Sequence, residues 1–209
     1  MLIKPNDRIL FQGDSITDCL RDQSDPTSLG EGYVKMTAGF LAALHPELAP
    51  VCLNRGISGH RAKDLVARWK ADCLDLQPDV LSLMIGINDT WRRYDSNDPT
   101  STEEYAGHYR SLLEQTRAAN PDLRIVLMEP FVLPVPEDRK AWREDLEPRI
   151  EVVHELAGEF KATLVRLDKL MNEACQVQPP AYWAEDGVHP SLPGHALIAR
   201  HWLEAVGAL

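Results

Sequence analysis

The chain has 209 residues, 44% hydrophobic and 26% charged, an ordinary balance for a globular protein that buries roughly 70% of its unfolded surface. Lys and Arg number 22 against 32 Asp and Glu, a formal net charge of -10. That balance leaves no dense basic stripe for a phosphate backbone, so no nucleic-acid partner is expected.

In chain order, short apolar runs alternate with longer amphipathic segments, the pattern of a parallel sheet covered by helices. The first strand is predicted at Arg8–Gln12, followed by a helix at Tyr33–Leu44 with apolar positions three and four residues apart. A strand at Pro50–Asn54 and a helix at Lys63–Asp72 come next, then a strand at Val80–Ile85 and a helix at Glu103–Ala119. Arg124–Met128 and Thr163–Leu167 are the last two predicted strands, separated by a helix at Trp142–Phe160, and a final helix runs over Gly194–Val206. Residues 1–209 are therefore read as a single α/β domain, without internal repeats. The stretch Glu129–Asp138, with Pro130, Pro134 and Pro136, is read as a rim loop of that domain.

No uncharged stretch of about 20 apolar residues is present to span a bilayer, so no membrane partner is expected. The opening MLIKPNDRILFQGDSIT lacks an apolar run before a small-residue cleavage site, which makes the cytoplasm the expected location. Cys19, Cys52, Cys73 and Cys175 lack any CxxC spacing and read as small buried hydrophobes of a reducing compartment.

In open α/β sheets ligands bind beyond the carboxyl ends of the strands, and three of those ends carry suggestive residues. After the first strand stands Gly13-Asp14-Ser15-Ile16-Thr17. A serine at a strand-to-helix turn either caps the helix or points its hydroxyl out of the sheet, with its N–H facing the same pocket. After the second strand stands Asn54-Arg55-Gly56-Ile57-Ser58-Gly59. These glycines either permit a positive-φ turn or let the Gly59 N–H approach a reacting oxygen. After the third stands Gly86-Ile87-Asn88-Asp89, where Asn88 either caps the next segment or donates its neutral amide to an oxyanion.

Near the C-terminus stands Asp186-Gly187-Val188-His189-Pro190. A carboxylate three residues before a histidine can bond Nδ1, fix the tautomer and leave Nε2 to take a proton from Ser15. Neither the Ser15 nor the Gly59 segment matches G-x-S-x-G.

Together these four blocks resemble those of the SGNH (GDSL-type) serine hydrolases, in family order from residue 13 to residue 190. The resemblance implies a three-layer α/β/α, flavodoxin-like SGNH hydrolase fold around a central parallel five-stranded sheet. It further implies Ser15 as nucleophile, His189 as general base and then acid, Asp186 as its orienter, and an oxyanion hole from the Ser15 N–H, the Gly59 N–H and the Asn88 amide. The stretches GDSITDC, NRGISGH, ARW, MIGINDTWRRYD and VHPS are most similar to bacterial acetylxylan esterases of that type. The implied activity is a carboxylic ester hydrolase that removes acetyl groups from carbohydrates such as xylo-oligosaccharides, through an acyl-enzyme and without cofactor or metal. Glu185 departs from the pattern, because those esterases carry an aromatic residue just before the triad Asp. Asp14, Trp91, Tyr182 and Trp183 are the candidate substrate-contacting residues, the last two as a replacement wall. A symmetric homo-oligomer is compatible with the resemblance, whose closest members are oligomeric.

Three other readings compete. Asp14, Asp186, His189 and His195 are residue types that ligate metals, but His154-Glu155 continues Leu-Ala-Gly, not x-x-His. A lysophospholipase or thioesterase would use the same blocks on this versatile fold. An inactive carbohydrate-binding homologue would usually lack a triad member or donor, and none is missing. His45, His60, His108, His154 and His201 are read as lying on solvated helix faces or loops, and His195 at the start of the last helix. Arg92 and Arg93 are read as structural partners of nearby acids.

Overall fold

The computed structural model describes residues 1–209. Its strands are β1 (Arg8–Gly13), β2 (Val51–Asn54), β3 (Val80–Met84), β4 (Arg124–Met128) and β5 (Thr163–Val165). They form one sheet in the order β2-β1-β3-β4-β5, and every pairing is parallel. The helices are α1 (Ser15–Asp18), α2 (Tyr33–Leu44), α3 (Ala62–Asp72), α4 (Ile87–Asp95), α5 (Thr102–Ala119), α6 (Arg143–Glu159), α7 (Leu167–Ala174), α8 (Pro180–Trp183) and α9 (Leu192–Ala205).

The period-two geometry of a strand divides the apolar runs between two cores. Ile9, Phe11, Val80, Met84, Val126 and Met128 face a layer built on α2, α7 and α9. Leu10, Leu81, Leu83, Ile125 and Leu127 face the opposite layer, built on α3 and α5. Helix α6 contributes to both. Covered on both faces, β3 is buried along its whole length, which is why it reads as a continuous apolar run. The core tryptophans Trp202 and Trp69 both find partners: the Trp202 indole N–H donates to Ser82 Oγ at 3.0 Å, and that of Trp69 to Thr116 Oγ1 at 3.1 Å.

The connection from β1 to β2 runs through α2 on one face, and that from β2 to β3 through α3 on the other. The strand order therefore reverses between β1 and β3, and a crevice opens at their carboxyl ends.

The predicted strands and long helices are all present, with ends shifted by a residue or two. Helices α4 and α7 were not expected. The predicted fifth strand ends at Val165, not Leu167, because the chain turns helical there. The Glu129 carboxylate accepts from the Asp168 N–H at 2.9 Å and the Lys169 N–H at 3.4 Å, and a negative charge at a helix start favours that turn. The proline-containing stretch after β4 packs inward through Phe131, Val132 and Leu133. Its Leu133 N–H donates to Gly187 O at 2.8 Å, so the stretch braces the segment that carries Asp186 and His189. None of the helices is long and apolar enough to cross a membrane.

Candidate active site

Ser15 opens α1, the single turn that begins where β1 ends. Asp14 takes the N-cap position, its carboxylate accepting from the Ile16 N–H at 3.0 Å. Ser15 is therefore not the cap, and its Oγ lies 2.9 Å from His189 Nε2. His189 Nδ1 lies 2.7 Å from Asp186 Oδ2. Since the carboxylate can only accept, Nδ1 carries the proton and Nε2 is left to accept from the serine hydroxyl. The second Asp186 oxygen accepts from the N–H groups of His189 at 2.7 Å and Val188 at 3.0 Å.

These bonds set the charges. Partial burial works against ionising Asp186, but the donors from His189 and Val188 outweigh it and hold the carboxyl well below the usual carboxylate range. The same carboxylate bond raises the His189 imidazole above its ordinary value, against a smaller opposing effect of burial. Gly187 makes the loop feasible: its φ is +81° and a Cβ there would sit 2.2 Å from Val135 O.

Gly59 sits at φ +82° in the loop after β2. A Cβ at that position would meet nothing within 4 Å, so it is the backbone angle and not crowding that calls for glycine. Neither the Ser15 N–H nor the Gly59 N–H donates to an acceptor within the protein. Asn88 lies in the first turn of α4, but Gly86 is the cap residue. The Asn88 Nδ2 donates to His60 O at 3.1 Å across the crevice, which uses one of its two amide hydrogens and leaves the other for a substrate oxygen. The Ser15 N–H, the Gly59 N–H and the Asn88 amide thus stand at the exits of β1, β2 and β3, and the Ser15–His189 pair is arranged for nucleophilic attack.

Asp14 does not line a substrate wall, contrary to expectation. It is only 1% exposed and its carboxylate is turned to Ile16, so it has no surface to offer a ligand. Burial, partly offset by the Ile16 N–H and by His189, pushes its carboxyl from 3.8 to about 7. The folded chain thus keeps this proton where the unfolded chain has lost it. The group's contribution to stability is complete below about pH 3.8, declines as the pH rises toward 7 and is lowest above that. Asp14→Asn retains an acceptor for Ile16 and carries no charge. Thermal melts are expected to show it more stable than wild type at pH 8, by up to about 4 kcal/mol, and equal at pH 4.

Tyr182 and Trp183 also depart from expectation. The Trp183 indole donates to Ala174 O at 3.0 Å and packs on the core, while the Tyr182 ring stands edge-on to it at 4.9 Å. Neither ring lines the clefts beside His189. Trp91 does approach: its ring centroid is 5.7 Å from that of His189. The sequence reading missed what supports it. The Arg139 guanidinium lies 4.0 Å from the Trp142 centroid and 5.3 Å from that of Trp91, and its Nε donates to Asp186 O at 3.3 Å. Arg92 and Arg93 pair with Asp95, Glu144 and Asp145, so their partners include α6 as well as nearby residues of α4.

Asp18 and Asn54 were missed as well. Asp18 Oδ2 accepts from the Ser58 N–H at 3.0 Å and from Ser58 Oγ at 2.8 Å. Asn54 donates to Thr17 O and Leu29 O and accepts from the Gly56 N–H. Both side chains tie the Gly59 loop to α1, and nothing in the spacing of a lone Asp or Asn signals that. His195 does lie in the first turns of α9, but it is buried: Nδ1 accepts from the Tyr33 N–H at 3.2 Å and Nε2 meets Cys19 Sγ at 3.3 Å. Burial above all, with His189 nearby, lowers its imidazole to about 4. His60 and His154 are likewise only partly exposed, His60 against Arg68 and His154 against the buried Glu129. All four cysteines are free, but only Cys73 is fully buried, and Cys19 lines the cleft beside Ser15.

Comparisons with known proteins identify the family of the chain. Residues 11–197 match the model of the GDSL-like lipase/acylhydrolase family. An acetylxylan esterase of Geobacillus stearothermophilus is 38% identical over 99% of this chain and 97% of its own length. The crystal structure of that organism's acetylxylan esterase Axe2 superposes with a TM-score of 0.92 at 37% identity, over 99% of this chain and 97% of the other. Catalytic mutants of Axe2 with a serine or an aspartate replaced by alanine superpose equally well. A GDSL-like lipase from Parabacteroides merdae superposes with a TM-score of 0.95 at 40% identity, over 99% and 98% of the two chains. A match this long, in sequence and in superposed fold, establishes that the chain belongs to the GDSL-like (SGNH) lipase/acylhydrolase family and is a carboxylic ester hydrolase with that family's α/β fold.

Proposed function

We propose that the protein is a serine esterase that removes acetyl groups from carbohydrates such as xylo-oligosaccharides through an acyl-enzyme on Ser15. The observation that carries this reading is the continuous hydrogen-bonded chain from Ser15 Oγ through His189 to Asp186. Ser15 Oγ attacks the ester carbonyl as its proton passes to His189 Nε2, and the Ser15 N–H, Gly59 N–H and Asn88 amide hold the tetrahedral oxyanion. His189 then gives that proton to the departing alcohol oxygen as the carbon–oxygen bond breaks. A water molecule attacks the acyl-enzyme in the same way, releasing the acid and restoring Ser15.

A short acyl group suits the cleft beside Ser15. Its volume is about 260 Å³, and Ser58, Cys19, His189 and His195 contribute much of its wall. Its apolar lining is confined to Ile16, Leu20 and Pro190 with Cys19, little surface to reward burial of a fatty chain. The sugar half of the substrate is proposed on the likeness to the acetylxylan esterase, with Trp91 as the aromatic surface on the His189 side.

Three measurements test the reading. Intact mass after treatment with a serine-directed phosphonate is expected to show one adduct on wild type and none on Ser15→Ala. Turnover of p-nitrophenyl esters is expected to fall steeply from acetyl to octanoyl; faster octanoyl turnover would overturn the short-acyl assignment. Asn88→Ala is expected to lower kcat by roughly 10²- to 10³-fold, and full activity in that variant would remove Asn88 from the oxyanion hole.

A further inference from the structure

Arg68 belongs to the ARW stretch that the family likeness picks out without giving it a task. It lies in the last turns of α3, and its side chain is only 13% exposed. Arg68 pairs with Asp72 one turn on, at 2.9 Å. On a helix surface that pairing, with the cation N-terminal to the acid, is the weaker orientation and contributes a few tenths of a kcal/mol. Such a pair does not account for a buried guanidinium. The remaining N–H groups reach out of the helix. Nη1 donates to Arg55 O at 2.8 Å, Nε to His60 Nδ1 at 3.2 Å, and Nη2 reaches Gly13 O at 3.4 Å.

Each of these acceptors lies on a segment that supplies an oxyanion donor. Gly13 ends β1, two residues before the Ser15 N–H. Arg55 and His60 bracket the loop that carries the Gly59 N–H, and the His60 carbonyl is the acceptor that orients Asn88 Nδ2 at 3.1 Å. The Gly13 carbonyl also accepts from the Ile57 N–H at 3.2 Å, so the exits of β1 and β2 meet at one oxygen beneath the guanidinium. A planar fork with five donors can hold acceptors in several directions at once, which a lysine ammonium on a flexible stem cannot reproduce. From this geometry we infer that Arg68 is a positioning residue for ester hydrolysis, clamping the β1 and β2 exits and, through His60, the Asn88 amide into one oxyanion-binding arrangement. The inference rests on the esterase reading given above. Arg68 touches no reacting atom and acts by fixing where the three donors point.

Because displacing a donor by about 1 Å can cost on the order of 10²-fold in rate, Arg68→Lys is expected to lower kcat for p-nitrophenyl acetate by about that factor. Its KM should stay within about twofold of wild type, since the charge is kept and no substrate contact is lost. Introduced together with Asn88→Ala, Arg68→Lys should cost clearly less than its full single-variant loss, because one of the three donors it positions is already gone. His60→Ala removes the Nε acceptor while keeping the His60 carbonyl, and should lower kcat about tenfold with little change in KM; it decides the question if Arg68→Lys does not fold. A folded Arg68→Lys with wild-type kcat overturns the inference, as does full additivity with Asn88→Ala, or an unchanged kcat in His60→Ala should Arg68→Lys fail to fold. A wild-type protein that does not hydrolyse the ester overturns the esterase reading itself, whereas wild-type turnover with an unimpaired Arg68→Lys overturns only the role of Arg68.

Discussion

Replacing Ser15 by Ala is expected to reduce kcat for p-nitrophenyl acetate by about 10⁶-fold, leaving only what the oxyanion donors and substrate binding contribute. The reason is geometric. Ser15 Oγ is the one hydroxyl on the His189 Nε2 lone pair, at 2.9 Å, so no neighbouring group inherits the attack. Ser58 Oγ is committed to Asp18 at 2.8 Å. The fold should not suffer, because Asp14 and not Ser15 caps α1 and the deleted oxygen lies at an accessible cleft. Melting curves are expected to match wild type to within about 0.5 kcal/mol. A Ser15→Ala protein that turned over ester at even a hundredth of the wild-type rate would show that another group is the nucleophile.

Asp186→Asn is expected to cost about 10⁴-fold in kcat and to move the pH dependence as well. In the wild type one Asp186 oxygen faces His189 Nδ1 and the other takes two backbone N–H groups. An amide oxygen can satisfy those backbone donors, but an NH₂ then faces Nδ1 and favours the tautomer with its proton on Nε2, where Ser15 needs an acceptor. The sign of the pH effect follows from His189. The base works only when neutral, and its hydrogen bond to Asp186 raises its pKa above the ordinary value despite partial burial. Wild-type kcat/KM should therefore rise with pH through a midpoint above that of an ordinary histidine, and Asp186→Asn should carry the midpoint downward. A pH–rate profile on both proteins checks this; equal midpoints would show that Asp186 does not set the charge of the base.

The two variants test parts of the site that were legible to different degrees. Ser15, Gly59 and Asn88 stood out because strand ends are recognisable wherever an apolar run stops at Gly, Asn or Asp, and Asp186 and His189 by their spacing, but the resemblance to the SGNH blocks was needed to choose their catalytic roles over capping and turn formation. Asp14 was recognised as near the chemistry but given the wrong surroundings. Nothing in Gly13-Asp14-Ser15 says which of two adjacent polar side chains turns inward to cap the helix and which turns out. The aromatic wall failed for a related reason. Tyr182 and Trp183 are near Asp186 along the chain, yet the Trp183 indole is satisfied by Ala174. The aromatic packing beside His189 instead comes through Trp91 and, behind it, Trp142, which is 47 residues from His189 in sequence.

The sequence by itself determined the class of fold, the five strands, the five long helices that cover them and the four blocks that meet at the crevice. Those features are local: hydrophobic period, turn residues and motif spacing are written within a dozen residues of one another. Only the tertiary structure decided the short helices α4 and α7, the burial of Asp14 and His195, and the convergence of Arg68 on Gly13, Arg55 and His60. Helix α4 shows why. Its sequence INDTWRRYD is short and mostly polar: Ile87, Trp91 and Tyr94 share one face, but its buried residues are Ile87, Asn88, Asp89 and Thr90 in the first turn. Asp89 accepts from the Ala62 N–H of α3, and the Arg149 guanidinium of α6 reaches Asp89 O. The first turn of such a helix is held by polar partners that arrive from elsewhere in the chain, and a polar group's partner, unlike an apolar residue's need for burial, exists only once the chain has folded.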